Sequence, residues 1–309
     1  MNIRISQKKL LKNLENISKV VSTSLHLPAL TGIIIEATES HVKLIASNGT
    51  LSTKVVIPLG DNALVIEPGK ILVPGKLFID LIKRQSNMIT ITSDENETTI
   101  VSEGKKASLN LLNINDYPAI VFENFGEDLT INASELKNAI SKVAFAAAEN
   151  DRRVILNGVN LVAKDGKLKL SATNSFRLAQ TTLDISNKDL DFNVVALAKS
   201  VKNFIPSEYD GEVILNITDS KIVTKIGNTK QSLSLIDGVY PDIGKLIPPL
   251  SDQVLTVDSK EFIKYLDDAA VMSTDTYKVV QLYLAKDKAI IRSKRQEVGS
   301  SITTLSNCK

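Results

Sequence analysis

The sequence predicts an α+β protein of tandem like domains, each assembled from two halves, and each half a strand, a helix and then alternating strands. Three observations predict this. The first is an internal repeat with an offset of 126 residues. Segments opening at Ile5, Ile131 and Val257 carry matching apolar positions: Leu10, Leu136 and Phe262, then Leu14, Ile140 and Leu266, then Ile17, Val143 and Ala269. The second is that the match between the first two copies continues past the helix without a gap. Leu30-Thr31-Gly32-Ile33 falls on Leu156-Asn157-Gly158-Val159, and Ala46-Ser47-Asn48 on Ala172-Thr173-Asn174. The third is that apolar periodicity switches within each copy from that of a helix to that of a strand. A period this long is one domain per copy, rather than a solenoid unit of about 20–50 residues.

In the first copy Leu10, Leu11, Leu14, Ile17, Val20 and Val21 make one apolar helix face. Strands are expected at Ile33–Ala37, Lys43–Ser47 and Lys54–Leu59, with Glu39-Ser40 and Asn48-Gly49 as turns. The second half has a shorter helix facing inward with Leu77, Phe78, Leu81 and Ile82, then strands at Ile89–Thr92, Thr98–Val101 and Ser108–Leu111. The second copy repeats the plan. Its second helix carries Val201, Phe204 and Ile205, and its last strands are Val213–Ile217, Ile222–Ile226 and Ser232–Leu235. An offset of 123 relates these later parts, placing Lys199 on Lys76 and Tyr240-Pro241 on Tyr117-Pro118. The third copy supplies a helix near Lys260–Met272 and strands near Val279–Leu284, Ala289–Arg292 and Ser300–Leu305. Domains are therefore expected at 1–121, 129–248 and 253–309, the last being the first half of a truncated third domain. Pro248-Pro249 marks the second boundary.

Composition narrows the function classes. The 309 residues are 43% hydrophobic, enough for buried cores, and no apolar run approaches the roughly 18 residues of a membrane span. The charged, amphipathic start has no signal-peptide core, so a cytoplasmic location is expected. A single cysteine, Cys308, excludes an internal disulfide and a thiolate metal site. The net charge of +2 identifies no nucleic-acid binder, so any basic surface must come from segregated charge.

Catalytic motifs are absent. Gly104-Lys105-Lys106 lacks the rest of a phosphate loop. His26 and His41 have no metal-ligand spacing; both read as exposed, His41 in a hairpin turn. No nucleophile elbow occurs, and Asp267-Asp268 point in different directions on one helix. The chain is expected to have no catalytic constellation, no metal and no cofactor.

The opening helix with Leu27-Pro28-Ala29-Leu30, the segment Leu156-Asn157-Gly158, the run from Ala172 to Leu178, and Asp237-Gly238-Val239-Tyr240-Pro241-Asp242 are each weak motifs. In this order, on a threefold repeat, the chain resembles the bacterial DNA polymerase III beta subunit family, the DNA sliding clamps. The resemblance implies a DNA clamp fold, with helices inside and antiparallel sheets outside. It also implies a homodimeric ring that encircles duplex DNA without reading sequence, confers processivity on the replicative polymerase, and performs no chemistry. The implied partners are double-stranded DNA, and the polymerase III catalytic subunit and clamp loader through a short peptide motif; no membrane is involved. The alternative kept beside it is a truncated clamp-like protein, unable to close a stable ring, that binds DNA or partners.

The helices that would line the hole carry lysines off their apolar faces, among them Lys8, Lys9, Lys12, Lys19, Lys137, Lys142, Lys260 and Lys264. Such groups contact phosphates without sequence information, although lysines are ordinary on any solvated helix face. By the resemblance, Lys76, Lys199, Asn150, Arg152 and Arg153 are the DNA-contact positions. The family's peptide cleft, between domains two and three, maps to Leu156, Thr173, Ser175, Phe176, Arg177, Leu178, Pro241, Lys245 and Leu246; core packing is the plain alternative for Leu156, Leu178 and Leu246. Phe176 stands where histidine is common and Ser175 where glycine is, which implies a narrower, more apolar pocket. The sequence ends before the tail that walls this cleft in the family, so weakened peptide binding is expected. The implied dimer interface maps to Lys106 and Leu109 on one side and Val271 and Met272 on the other.

Overall fold

The computed structural model of the chain describes residues 1–24, 27–123, 125–249, 254–273, 279–285, 288–295 and 298–305. His26, Cys308 and the ending 306–309 lie outside the described residues. The chain divides into two units, Met1–Pro241 and Asp242–Lys309.

The first domain runs β1 (Asn2–Ser6), α1 (Gln7–Ser18), β2 (Gly32–Ala37), β3 (His41–Ser47), β4 (Leu51–Pro58) and β5 (Ala63–Glu67). After β5, which connects the halves, the second half follows as β6 (Gly69–Pro74), α2 (Gly75–Lys83), β7 (Met88–Ser93), β8 (Glu97–Ser102) and β9 (Lys105–Asn110). The second domain is β10 (Glu127–Asn132), α3 (Ala133–Ala144), β11 (Gly158–Lys164), β12 (Lys167–Thr173) and β13 (Leu178–Asp184), then β14 (Phe192–Leu197), α4 (Ala198–Val201), β15 (Glu212–Ile217), β16 (Lys221–Ile226) and β17 (Thr229–Ser234). The second unit contains α5 (Ser259–Ala270), β18 (Gln281–Ala285), β19 (Lys288–Arg295) and β20 (Gly299–Leu305).

The repeat has a physical basis at both ends of the copied segment. Ser6, Asn132 and Asp258 are the N-caps of α1, α3 and α5; the Asn132 carboxamide accepts from the N–H groups of Ser134 and Glu135, and the Asp258 carboxylate from Glu261. Such a cap stabilises a helix by about 0.5–2 kcal/mol. Further on, Gly32 and Gly158 admit the neighbouring strand. A Cβ at Gly32 would lie 2.6 Å from Leu72 Cδ1 on β6, and one at Gly158 would overlap Val195 Cγ1 on β14.

All ladders are antiparallel. The first domain's outer half forms a sheet in the order β5-β1-β7-β8-β9, and β13-β12-β11-β14 forms another. The remaining strands of both domains make one eight-stranded sheet, β10-β15-β16-β17-β4-β3-β2-β6. The join is β17 on β4, from Thr229 opposite Val55 to Leu233 opposite Leu51. Helices α1 and α2 pack on one another, and Leu10, Leu14, Ile17, Phe78 and Ile82 bury their side chains with those of both sheets in the first core. The second core unites α3 with β10–β17 and reaches across the join to include Val20 and Leu51. Polar groups close the seam: Asn228 Nδ2 donates to Asn13 Oδ1 on α1 (2.8 Å) and to the Val56 carbonyl (3.1 Å).

Several expectations change. Residues Ile185–Asp191 form no strand, so β5 has no counterpart among the described residues of the second domain, and the shorter offset arises there. Strands β15–β17 lie one residue further on than the offset of 123 implies. The second domain's second helix is a single turn, Ala198–Val201, and Phe204 and Ile205 are buried beyond it. Pro206 disfavours the helical conformation at the residue before it. In the second unit Val254–Asp258 forms no ladder with any described residue. In the two earlier copies the partner of this strand, β7 or β15, comes from the second half of the domain. On α5, Phe262, Leu266 and Ala269 pack on Ile291 and Leu305, whereas Ile263 is exposed. His41 is no solvated turn residue: its Nδ1 lies 2.7 Å from Ser40 Oγ and 3.2 Å from Thr38 Oγ1.

The seam yields a prediction. Leu51 and Leu233 are both fully buried and face each other across it. Leu51→Ala and Leu233→Ala are each expected to cost about 2–5 kcal/mol. Their double variant should cost less than the sum, because the two side chains share one contact. Urea unfolding of the four proteins of the cycle measures this; strict additivity would mean that the leucines do not couple the domains.

Candidate functional site

Two surfaces and two sheet-edge strands carry the residues nominated by sequence. The first is the helix surface of the first unit. Lys76 and Lys199 are each the second residue of their helix, α2 and α4, and both are exposed. Lys76 borders a cavity of about 590 Å³ with Ser18, Ser22, Leu77 and Lys83. Lys8, Lys12, Lys19, Lys142 and Lys202 are exposed too. Two lysines placed in the basic lining are engaged elsewhere. Lys9 Nζ donates to the Pro58 carbonyl at 2.8 Å. Lys137 Nζ donates to the carbonyls of Ser207 (2.7 Å) and Tyr209 (2.6 Å), tying α3 to the turn after α4. These hydrogen bonds hold the two ammonium groups against the protein's own backbone.

The second surface is formed by two loops. Asn150 and Arg152 are exposed. Arg153 is held: its Nε and Nη2 donate to the Asp151 carboxylate, both at 3.2 Å, and Nη2 also to Ser175 Oγ at 3.0 Å. The Arg153 hydrogen bonds hold the Asp151 carboxyl below the usual carboxylate range and push the guanidinium of Arg153 up. Arg153 thus braces one loop against the other. The facing loop, Thr173–Leu178, is organised by Asn174, whose Oδ1 accepts from the N–H groups of Phe176 (3.1 Å) and Arg177 (2.9 Å). Thr173 Oγ1 donates to the Arg177 carbonyl at 2.7 Å and accepts from the Ser175 N–H at 3.1 Å. This closure puts Ser175 at φ +75°, a left-handed conformation costly for a residue with a Cβ and natural for the glycine common there in the family resembled. The Tyr240 hydroxyl accepts the Thr173 N–H at 3.0 Å, and burial pushes its pKa up.

The loop's apolar groups divide. Leu156 is buried and Leu178 half-buried, whereas Phe176 is 97% exposed. The Phe176 ring stands in solvent beside the left-handed Ser175. Arg177 lies over the Phe145 ring, 5.8 Å from its centroid. Pro241 is exposed at the end of the first unit. In the second unit Lys245 and Leu246 sit in a helical turn, Leu246 67% exposed and Lys245 Nζ 4.0 Å from Asp242. Sequence reasoning gave no role to Asn174, Tyr240 or Phe145. The repeat held a signal for the first two: Asn48 caps the equivalent hairpin through the N–H groups of Thr50 and Leu51, and Tyr117 is the buried equivalent of Tyr240.

The remaining nominated residues lie on or near two sheet-edge strands, one in each unit. In β9, Lys106 is exposed and Leu109 is turned partly into the first core. In the second unit β20 is the edge of the sheet β18-β19-β20, with Ile302 56% exposed; Val271 is exposed and Met272 half-buried after α5. Among the described residues no His, Cys, Asp and Glu group gathers as metal ligands, and no helix is long and apolar enough to cross a membrane.

Comparison with known proteins gives a consistent result. Residues 1–121 match the family model of the DNA polymerase III beta subunit, N-terminal domain, and residues 130–242 that of its central domain. A beta sliding clamp of Staphylococcus aureus is 28% identical, over 97% of this chain and 82% of its own length. Among solved structures, the DNA polymerase sliding clamp of Bacillus subtilis superposes with a TM-score of 0.91 at 27% identity, covering all of this chain and 85% of that one. The DNA polymerase III subunit beta of Pseudomonas aeruginosa gives a TM-score of 0.90 at 25% identity, over 99% and 84%.

The loop geometry can be tested at Tyr240. Tyr240→Phe leaves the buried Thr173 N–H without its acceptor and is expected to cost about 1–3 kcal/mol. It should also speed amide exchange at Thr173 relative to wild type. Unchanged exchange would show that the hydroxyl is not what holds this strand end.

Proposed function

The chain belongs to the DNA polymerase III beta-subunit family, and on that premise we propose how its geometry serves a DNA sliding clamp. A sliding clamp is an accessory factor: it holds duplex DNA by enclosure and tethers the replicative polymerase. Its partners are DNA, the polymerase and a second copy of itself. The observation that carries the reading is the β17–β4 ladder, which joins two like domains edge to edge into one sheet.

That ladder also supplies a rule for closing a ring. It pairs the last strand of a second half with the last strand of a first half. By the repeat, β9 is the counterpart of β17, and β20 that of β4. The same register would place Lys106 of one protomer opposite Ile302 of its partner and Ala107 opposite Ser301. Two such joins per dimer are copies of one head-to-tail contact related by the twofold axis, so the ring closes at two protomers.

DNA contact is assigned to the exposed lysines of the helix surface, Lys76 and Lys199 foremost, with Asn150 and Arg152 from the adjoining loop. These neutralise phosphates, so binding is independent of sequence and weakens with salt. Arg153 is assigned to bracing the loop instead. Partner peptides are assigned to the surface of the Thr173–Leu178 loop, where exposed Phe176 offers an apolar contact and Arg177 a charge.

Retention on nicked circular DNA tests the reading. The protein should stay on the circle through gel filtration and be lost when the circle is linearised. Ile302→Lys, which sets like charges opposite each other at a cost of about 1 kcal/mol per join, should reduce retention, whereas Ile302→Glu should not. Equal loss from circular and linear DNA would contradict enclosure.

A further inference from the structure

The seam carries three lysines in one cross-strand row on the face of the sheet away from α1. Lys54 of β4 lies directly opposite Lys230 of β17, and Lys230 directly opposite Lys225 of β16. Alternation fixes the face: Val55, Thr229, Gln231 and Thr224, their neighbours in sequence, are buried on the other side. Like charges directly opposite in an antiparallel pair destabilise it. Among the described residues none of the three lysines has a carboxylate within the 4.0 Å of an ion pair. Burial pushes the Lys54 ammonium below the usual lysine value, Glu123 opposing this and Lys230 adding to it.

The chain itself shows what this face binds. The segment Val121–Glu123 lies along the start of the row. The Phe122 ring is 2% exposed with Lys54 Nζ 4.7 Å from its centroid, and Lys221 Nζ donates to the carbonyls of Val121 (3.4 Å) and Glu123 (2.6 Å). Hydrogen bonds from the backbone, and then Lys54 and Lys230, hold the Glu123 carboxyl below the usual range. An aromatic ring followed by a carboxylate is therefore already seated at one end. At the other end a cavity of about 440 Å³ lies beside Lys225 and Lys230, lined in part by Ile214 and Val223, with Ile214 54% exposed.

We propose that the row Lys54–Lys230–Lys225, with the Ile214 hollow beside it, is a docking surface for an extended acidic peptide segment of a partner protein, bearing one apolar side chain. Charge complementarity selects the carboxylates, and the hollow takes the apolar group. A nucleic acid fits less well, because the hollow lined by Ile214 and Val223 takes an apolar side chain and has no use for a sugar-phosphate chain. The surface lies on the opposite side of the sheet from the helix lysines, so it leaves the DNA contacts untouched.

The test is fluorescence anisotropy of a fluorescein-labelled peptide of glutamates bearing a single phenylalanine, titrated with the full chain at low salt. Saturable binding that weakens with salt is expected. Lys225→Glu with Lys230→Glu should weaken it about tenfold or more. Lys167→Glu with Lys169→Glu, an equal charge change on β12, should leave it unchanged. Melting curves check the fold, and Lys225→Gln with Lys230→Gln serves if the reversal unfolds the protein. Absence of saturable binding, equal loss in both double variants, or displacement by oligo-dT at lower concentration than by unlabelled peptide would overturn the proposal.

Discussion

The ladder between β4 and β17 is the contact on which the other features of the first unit depend. Strand edges expose unpaired N–H and C=O groups, and a protein must cover, blunt or pair them. Here the edge of one domain is covered by the edge of the next, so two repeats that would each present a free strand share one sheet. The join is stiffened from both sides. Leu51 of the first domain lies in the second domain's core, and Asn228 of the second reaches Asn13 on α1 of the first. On the opposite face the linker is fixed by Phe122 and Lys221. Helix placement follows, because a helix packed on one face of a sheet keeps its polar side on the far side from that sheet.

Function follows from the same contact. A protein that acts by enclosure needs a continuous wall, one face that meets the phosphate backbone without reading bases, and ends that join another copy. In the proposed reading the seam is the wall between domains, the lysines of the helix surface are the charge, and the edges of β9 and β20 are of the two types already joined at the seam. Binding by enclosure needs no strong individual contact. This agrees with the modest basic endowment of a chain with net charge +2 and with the use of Lys9, Lys137 and Arg153 to hold the scaffold.

The repeat was legible because folding constrains it at each copy. Asn132 and Asp258 cap their helices, with Ser6 at the matching position, and Gly32 and Gly158 leave room for side chains of the neighbouring strand. What local patterning could not reveal were decisions made at long range. Lys9 finds its carbonyl 49 residues away and Lys137 finds its own 69–72 residues away, so helix periodicity alone left both on a solvated face. The single-turn α4 was misread as longer because Phe204 and Ile205 are apolar at helical spacing, although Pro206 ends the run. At the candidate site, the loop motif around Asn174 was visible as a matched segment. The outward stance of Phe176 was not, since it depends on the left-handed Ser175 and on Arg153 reaching across from another loop.

The central claim is that one strand-edge rule, second-half last strand on first-half last strand, both joins the domains and closes the ring. Amide hydrogen exchange on the full chain, compared between concentrations where light scattering finds dimer and where it finds monomer, tests it most directly. The account predicts that added protection in the dimer falls on Lys105–Asn110 and Gly299–Leu305 together, while Leu51–Pro58 and Thr229–Ser234 stay protected throughout. A dimer in which β9 and β20 exchange as fast as in the monomer would contradict it.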